Sequence, residues 1–206
     1  MIRAALFDLG GVVFTSPFEA FSRYERERGL PDGFIRGLNT TNPDTNAWAR
    51  LERSEVTFDE FCELFEFEAR QAGGELDGRE VLALLAGDVR EEMVEAIRRC
   101  RTRLKTAAVT NNWAIEDDGD RPLDDLARSL FDVVLESSKL GLRKPDPRIY
   151  ELACEELDVE PAEAVFLDDI GANLKPARAM GMTTIKVTDP AEAIAELERV
   201  VGFPLQ

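Results

Sequence analysis

There is no histidine anywhere in the 206 residues of this chain. That absence removes His-dependent zinc sites, Ser-His triads, phosphohistidine intermediates and imidazole acid–base catalysis. Cysteine is scarce. Cys62, Cys100 and Cys154 are odd in number, far apart and form no CxxC pair, which fits buried thiols in a reducing compartment. No apolar run approaches ~18 residues, so no transmembrane helix is expected. The opening "MIRAALFD" enters a strand directly and offers no signal-peptide pattern. Basic residues are outnumbered 25 to 41, for a net charge of −16, and no basic patch interrupts the excess. Nucleic acid and membrane surfaces are therefore not expected partners, and the acidity reads as the surface of a cytoplasmic protein. Chemistry is left to carboxylates, hydroxyls, amides, amines and thiols.

What is present is enough apolar content, 44%, to bury a core, in a length that suits one domain plus an insertion. Four short apolar runs read as buried parallel strands: "RAALF" (3–7), "KTAAVT" (105–110), "DVVLES" (132–137) and "AVFLDD" (164–169). The β-branched "TTIKV" (183–187) makes a fifth. Helical segments near 121–129, 146–157, 172–180 and 189–201 alternate with the later strands, as βαβ units require. Almost a hundred residues between the first two strands read as nearly all helix. Ser16-Pro17-Phe18-Glu19 has a capping-box pattern closing at Gly29, and Thr57 with Glu60 repeats it, ending at Gly73-Gly74. The segment from Asp88 reads as the crossover helix before the second strand. The expectation is an α/β fold, a Rossmann-like parallel sheet flanked by helices, from residues 1–14 and 88–206. A small α-helical bundle, 15–87, is inserted after the first strand.

Ligands of open parallel sheets bind beyond the carboxyl ends of strands. Those ends carry Asp8, then Thr110-Asn111-Asn112, then Lys144 in "LRKPDP", then Asp168-Asp169. Each alone reads equally well as a turn, a helix cap or a solvated surface group. Their succession on consecutive strands makes coincidence a poor account. Three carboxylates meeting in one crevice repel unless a cation joins them, and oxygen ligands without His or Cys point to Mg2+. Lys144 and the Thr110 hydroxyl would receive a phosphate, and a carboxylate beside it is a potential nucleophile.

This set resembles the haloacid dehalogenase superfamily across essentially the whole chain, with the helical insertion where that superfamily carries its smaller cap. "AVFLDDIGANLKPARAMGM" (164–182), "KPDPRIYEL" (144–152) and "AWARLERSEVTFDEF" (47–61) further resemble the N-terminal phosphatase domain of soluble epoxide hydrolase and the related domain of an acyl-CoA dehydrogenase family member. The resemblance implies Asp8 as nucleophile and metal ligand, the Gly10 carbonyl and Asp169 as further ligands, and Asp168 holding metal-bound water or Lys144. It implies Thr110, Asn111 and Lys144 on the phosphoryl oxygens of a small-molecule phosphate substrate, and Asn173 bracing the loop.

Phosphatases of that superfamily usually carry an aspartate two residues after the nucleophile, as acid and then base. Here that position is Gly10. The expectation is a magnesium-dependent phosphatase-like hydrolase with weak or specialised turnover. The alternatives are a metal-independent dehalogenase and a phosphate-binding protein without turnover. Glu19 and Glu52 lie in the insertion as acids that could stand in for the missing one. Phe14, Phe18 and Trp48 read as packing residues, and Trp113 as better placed to reach a ligand. The substrate and the oligomeric state, a homodimer being one option, are not encoded in any pattern found.

Overall fold

The computed structural model describes residues 1–113 and 122–205. Five strands, β1 (Ala4–Phe7), β2 (Lys105–Thr110), β3 (Val133–Glu136), β4 (Ala164–Asp168) and β5 (Thr183–Lys186), form one parallel sheet in the order β3-β2-β1-β4-β5. β1 and β4 lie side by side at its centre with every residue buried. This explains their unbroken apolar runs, since both faces of the sheet are covered.

The alternation of a strand sorts those residues between two layers. Ala5, Phe7, Val165 and Leu167 face one apolar cluster with Met93, Ile97, Ile194 and Leu197. These last come from α6 (Glu91–Arg101) and α11 (Pro190–Val201). Ala4, Leu6, Ala164 and Phe166 face the opposite cluster, with Ile149, Tyr150 and Leu174. Those are supplied by α9 (Pro147–Leu157) and α10 (Gly171–Ala179). α7 (Pro122–Leu130) and the short α8 (Ser137–Leu140) flank β3. Residue 121, where the sequence reading began the helix after β2, lies outside the described residues.

Between β1 and α6 run α1 (Phe18–Arg28), α2 (Phe34–Thr40), α3 (Ala47–Glu52), α4 (Phe58–Gln71) and α5 (Gly78–Ala83). They share a cluster of their own around Phe21, Ile35, Trp48, Phe61 and Phe65. Phe61 and Phe65 are stacked at 5.2 Å, and the Trp48 ring meets both edge-on. Trp48 and Phe18 are therefore packing residues, as is Phe14 in the sheet's own cluster. Trp113 also leans on the helical cluster from the loop after β2.

The Thr57–Glu60 capping box is present with both reciprocal bonds. The one expected at Ser16 is not: Pro17 is the N-cap of α1 and no side chain caps it. The two crossings into and out of the helical segment are stitched to each other. Phe14 bridges Val89, Thr15 N–H donates to Asp88 O at 2.9 Å, and Arg90 N–H donates to Val13 O at 2.8 Å. All three cysteines are buried free thiols. No helix among the described residues is long and apolar enough to cross a membrane.

Candidate active site

The strand order reverses between β1 and β4, because the chain fills the β2–β3 side of β1 before crossing to β4 and β5. Strand ends at such a switch point open onto a crevice. β1 delivers Asp8 there and β4 delivers Asp168 and Asp169. One oxygen from each of the three carboxylates lies within 4.8 Å of the others.

The Lys144 ammonium sits between two of them. Its Nζ is 2.8 Å from Asp8 Oδ1 and 2.8 Å from Asp168 Oδ2, with the side chain 1% exposed. It also lies over the Phe166 ring at 5.6 Å. Burial alone would pull the lysine's pKa down, but Asp168 and Asp8 outweigh it and the net displacement is upward. The ammonium therefore stays charged. Asp168 is fully committed: besides Lys144 it accepts from Ile170 N–H at 2.7 Å and from Asn173 Nδ2 at 3.1 and 3.0 Å. Asn173 in turn is held by Tyr150, whose hydroxyl donates to Asn173 O at 2.7 Å.

Asp8 and Asp169 are less well compensated. Asp8 Oδ1 accepts from Leu9 N–H at 2.7 Å as well as from Lys144. Burial still pushes the Asp8 carboxyl well above its ordinary value; Lys144 opposes the rise and Asp168 and Asp169 add to it. Asp169 is pushed up to about 6, by burial first and by the charge of Asp168 second. Its one side-chain partner among the described residues is Ser16, whose Oγ is 3.5 Å from Oδ2. The serine that sequence reading assigned to a helix cap thus belongs to the crevice. An all-oxygen, buried acidic pair whose charge Lys144 compensates only in part fits a hard divalent cation. Asp8 and Asp169 are the residues with capacity left to hold one.

The glycine pair divides its labour. Gly11 has φ +73, and a Cβ there would stand 2.2 Å from Asp169 Oδ2. Only glycine lets the β1 loop take that turn and lets Asp169 approach. Gly10 lies outside the left-handed region, and a Cβ built on it meets nothing within 4 Å. Neither backbone nor space demands glycine at position 10. The Arg90 guanidinium holds this loop from α6, donating from Nη1 to Gly11 O at 3.0 Å.

On the β2 side Thr110 is buried at the strand end. Asn111 clasps the main chain of Lys144: Lys144 N–H donates to Asn111 Oδ1 at 2.8 Å, and Asn111 Nδ2 donates to Lys144 O at 3.0 Å. The second Nδ2 proton goes to Glu52 Oε2 at 3.2 Å. The side-chain N–H groups of Asn111, a residue expected on phosphoryl oxygens, thus serve the Lys144 loop and the helical segment. Asn112 turns to the end of β3, donating to Glu136 Oε1 at 2.8 Å and accepting from Ser138 Oγ at 2.8 Å. Glu19 is exposed on α1, while Glu52 is buried and bonded to three donors. The Glu52 carboxylate is therefore not free to act as an acid over Asp8.

Two predictions follow from this geometry. Gly11→Ala should cost more than about 2 kcal/mol of folding stability, from a left-handed alanine and the clash with Asp169, while Gly10→Ala stays within about 1 kcal/mol. Urea midpoints measure both, and equal losses would contradict the division of roles. In chelator, Asp169 ionises at about 6 in the folded chain against 3.8 as its ordinary value. A raised carboxyl costs nothing below the lower value and opposes folding once pH exceeds the upper one, here by up to about 3 kcal/mol. Asp169→Asn should therefore raise the metal-free melting temperature at pH 7.5 and lose that gain by pH 4; no gain at pH 7.5 would show that the carboxylate is compensated.

The comparisons agree with the geometry. The family model for haloacid dehalogenase-like hydrolase matches residues 2–181. Mouse acyl-CoA dehydrogenase family member 10 is 38% identical over 98% of this chain, and mouse bifunctional epoxide hydrolase 2 is 36% identical over 98%. The chain spans only 19% and 40% of the lengths of those two proteins. Validoxylamine A 7'-phosphate phosphatase of Streptomyces hygroscopicus subsp. limoneus is 30% identical, covering 96% of this chain and 92% of its own. Among solved structures, a HAD family enzyme from Bacteroides thetaiotaomicron in complex with magnesium and inorganic phosphate shares the fold. Its TM-score is 0.59 at 18% identity, over 90% of this chain and 94% of that one. Five parallel strands, the carboxylate–lysine cluster at their ends and a family match over most of the length place this chain in the haloacid dehalogenase-like hydrolase family.

Proposed function

We propose that this chain is a magnesium-dependent phosphatase of small-molecule phosphate esters, working through a phosphoaspartate at Asp8 and handicapped at the leaving-group step. The observation that carries the reading is the buried Lys144 bridging Asp8 and Asp168, with Asp169 beside them forming no ion pair among the described residues. Full-length similarity to a phosphatase supports it. The Asp168–Asp169 pair, read as a metal arrangement, favours this over a dehalogenase, whose chemistry needs no metal.

Asp8 and Asp169, with the Gly10 carbonyl, would hold the ion, and its charge would draw off electron density from the phosphoryl oxygens. Lys144 fixes one Asp8 oxygen, so the other faces the incoming phosphorus. The Thr110 hydroxyl and the main chain beyond β2 would hold phosphoryl oxygens. Attack by Asp8 forms the carboxylate–phosphorus bond and breaks the phosphorus–oxygen bond of the ester. Water then attacks the same phosphorus, releasing phosphate and restoring the carboxylate. Residues 15–87 would serve as the cap over this crevice and 1–14 with 88–206 as the core, a division supported by the Thr15–Asp88 stitching.

Gly10 supplies no proton to the departing alkoxide. General acid–base help is worth roughly 10²–10⁴-fold, about 3–5 kcal/mol of barrier. Aryl phosphates, whose leaving groups need little protonation, should suffer least. The open space around Gly10 makes the direct test feasible.

Gly10→Asp should raise turnover of alkyl phosphates by at least ~10-fold more than that of aryl phosphates. Equal changes across a leaving-group series would rule out the missing acid as the cause. Asp8→Asn should abolish magnesium-dependent hydrolysis of every ester in the series; hydrolysis surviving at the parent rate would reassign the nucleophile.

A further inference from the structure

Glu52 ends α3 in the helical segment, yet one of its carboxylate oxygens is spent on loops outside that segment. Oε2 accepts from Asn111 Nδ2 at 3.2 Å and from Arg143 Nε at 2.6 Å, partners 59 and 91 residues away in sequence. Oε1 accepts from Trp48 Nε1 at 3.0 Å, and Trp48 packs on Phe61 and Phe65. The side chain is 9% exposed. An unbroken path therefore runs from the aromatic core of the helical segment through Glu52 to the Asn111 amide. From there it reaches the Lys144 main chain, whose ammonium holds Asp8. Other contacts join the same surfaces, Arg143 Nη1 to Pro43 O at 2.9 Å and Ser54 Oγ to Ser138 O at 2.9 Å, and neither touches Asn111.

We propose that Glu52 is a positioning residue for phosphoryl transfer: it docks α3 on the loops carrying Asn111 and Lys144, and so holds the Lys144 ammonium in register with Asp8 while the helical segment is seated. The proposal rests on the phosphatase reading and deepens it. It also accounts for why this acid does not replace the one missing at Gly10. Its oxygens are held by Trp48, Asn111 and Arg143, so the carboxylate is not free to reach a departing alkoxide. Glutamine cannot reproduce this set, since its NH2 must face a donor whichever way it is turned.

A double-mutant cycle between Glu52→Gln and Asn111→Ala in the full chain tests this, with p-nitrophenyl phosphate and Mg2+ as the assay. Hydrogen–deuterium exchange of peptides covering 142–150 is the second readout. Misplacing a catalytic group by up to about 1 Å can cost roughly tenfold to a hundredfold. Glu52→Gln should lower kcat by that factor with KM changed less than ~2-fold, and should speed exchange around Lys144. Added to Asn111→Ala, it should cost less than a further ~2-fold. A mere structural anchor would lower the melting temperature and leave kcat of the folded protein unchanged. Parent-like kcat, or an undiminished effect in the Asn111→Ala background, would overturn the proposal. Should the parent protein hydrolyse nothing, the phosphatase reading falls, and exchange alone decides: unchanged exchange at 142–150 in Glu52→Gln refutes the coupling.

Discussion

The Lys144 ammonium lies out of water between Asp8 and Asp168, and the rest of the crevice is arranged to make that placement tolerable. Desolvating an ammonium and two carboxylates costs several kcal/mol per ion, and their attraction offsets this only with close geometry and every remaining lone pair satisfied. Asp168 meets the condition through Lys144, Asn173 and Ile170 N–H. Lys144 meets it through both carboxylates and the Asn111 clasp on its main chain. The unsatisfied remainder falls on Asp8 and Asp169, whose raised pKa values record it. That imbalance is what a bound cation would relieve.

The fold contributes by bringing distant segments to one point. β1 and β4 are adjacent although 160 residues separate Arg3 from its partner Glu163 at their entry. Their register sets Asp8 beside Asp168, and Gly11 removes the side chain that would keep Asp169 away. The helical segment joins the loops of Asn111 and Arg143 through Glu52. Position 10 stands apart from these constraints. It is open and conformationally ordinary, so the fold makes no demand for glycine there.

Strands, layers and the crevice were legible in the sequence because local pattern encodes them. Continuous apolar runs marked β1, β2 and β4, and the polar residues closing those runs were the ones that converge. Thr57–Glu60 and Asp189–Pro190 were legible as caps because the bonding partners lie within four residues. Long-range partnerships left no such trace. Ser16 sits in a perfect capping spacing but turns to Asp169, 153 residues away. Asn111 at a strand end reads as a phosphate ligand, and nothing local shows that its side-chain amide also bonds Lys144 and Glu52. Which glycine of the pair carries the positive φ, and which is merely small, needed the backbone itself.

The most direct measurement is anomalous diffraction from crystals grown with Mn2+ in place of Mg2+. The account predicts one strong peak about 2.1 Å from oxygens of Asp8 and Asp169, with the Lys144 ammonium still between Asp8 and Asp168. No peak in the crevice, or an ion seated on Asp168 with Lys144 displaced, would contradict it.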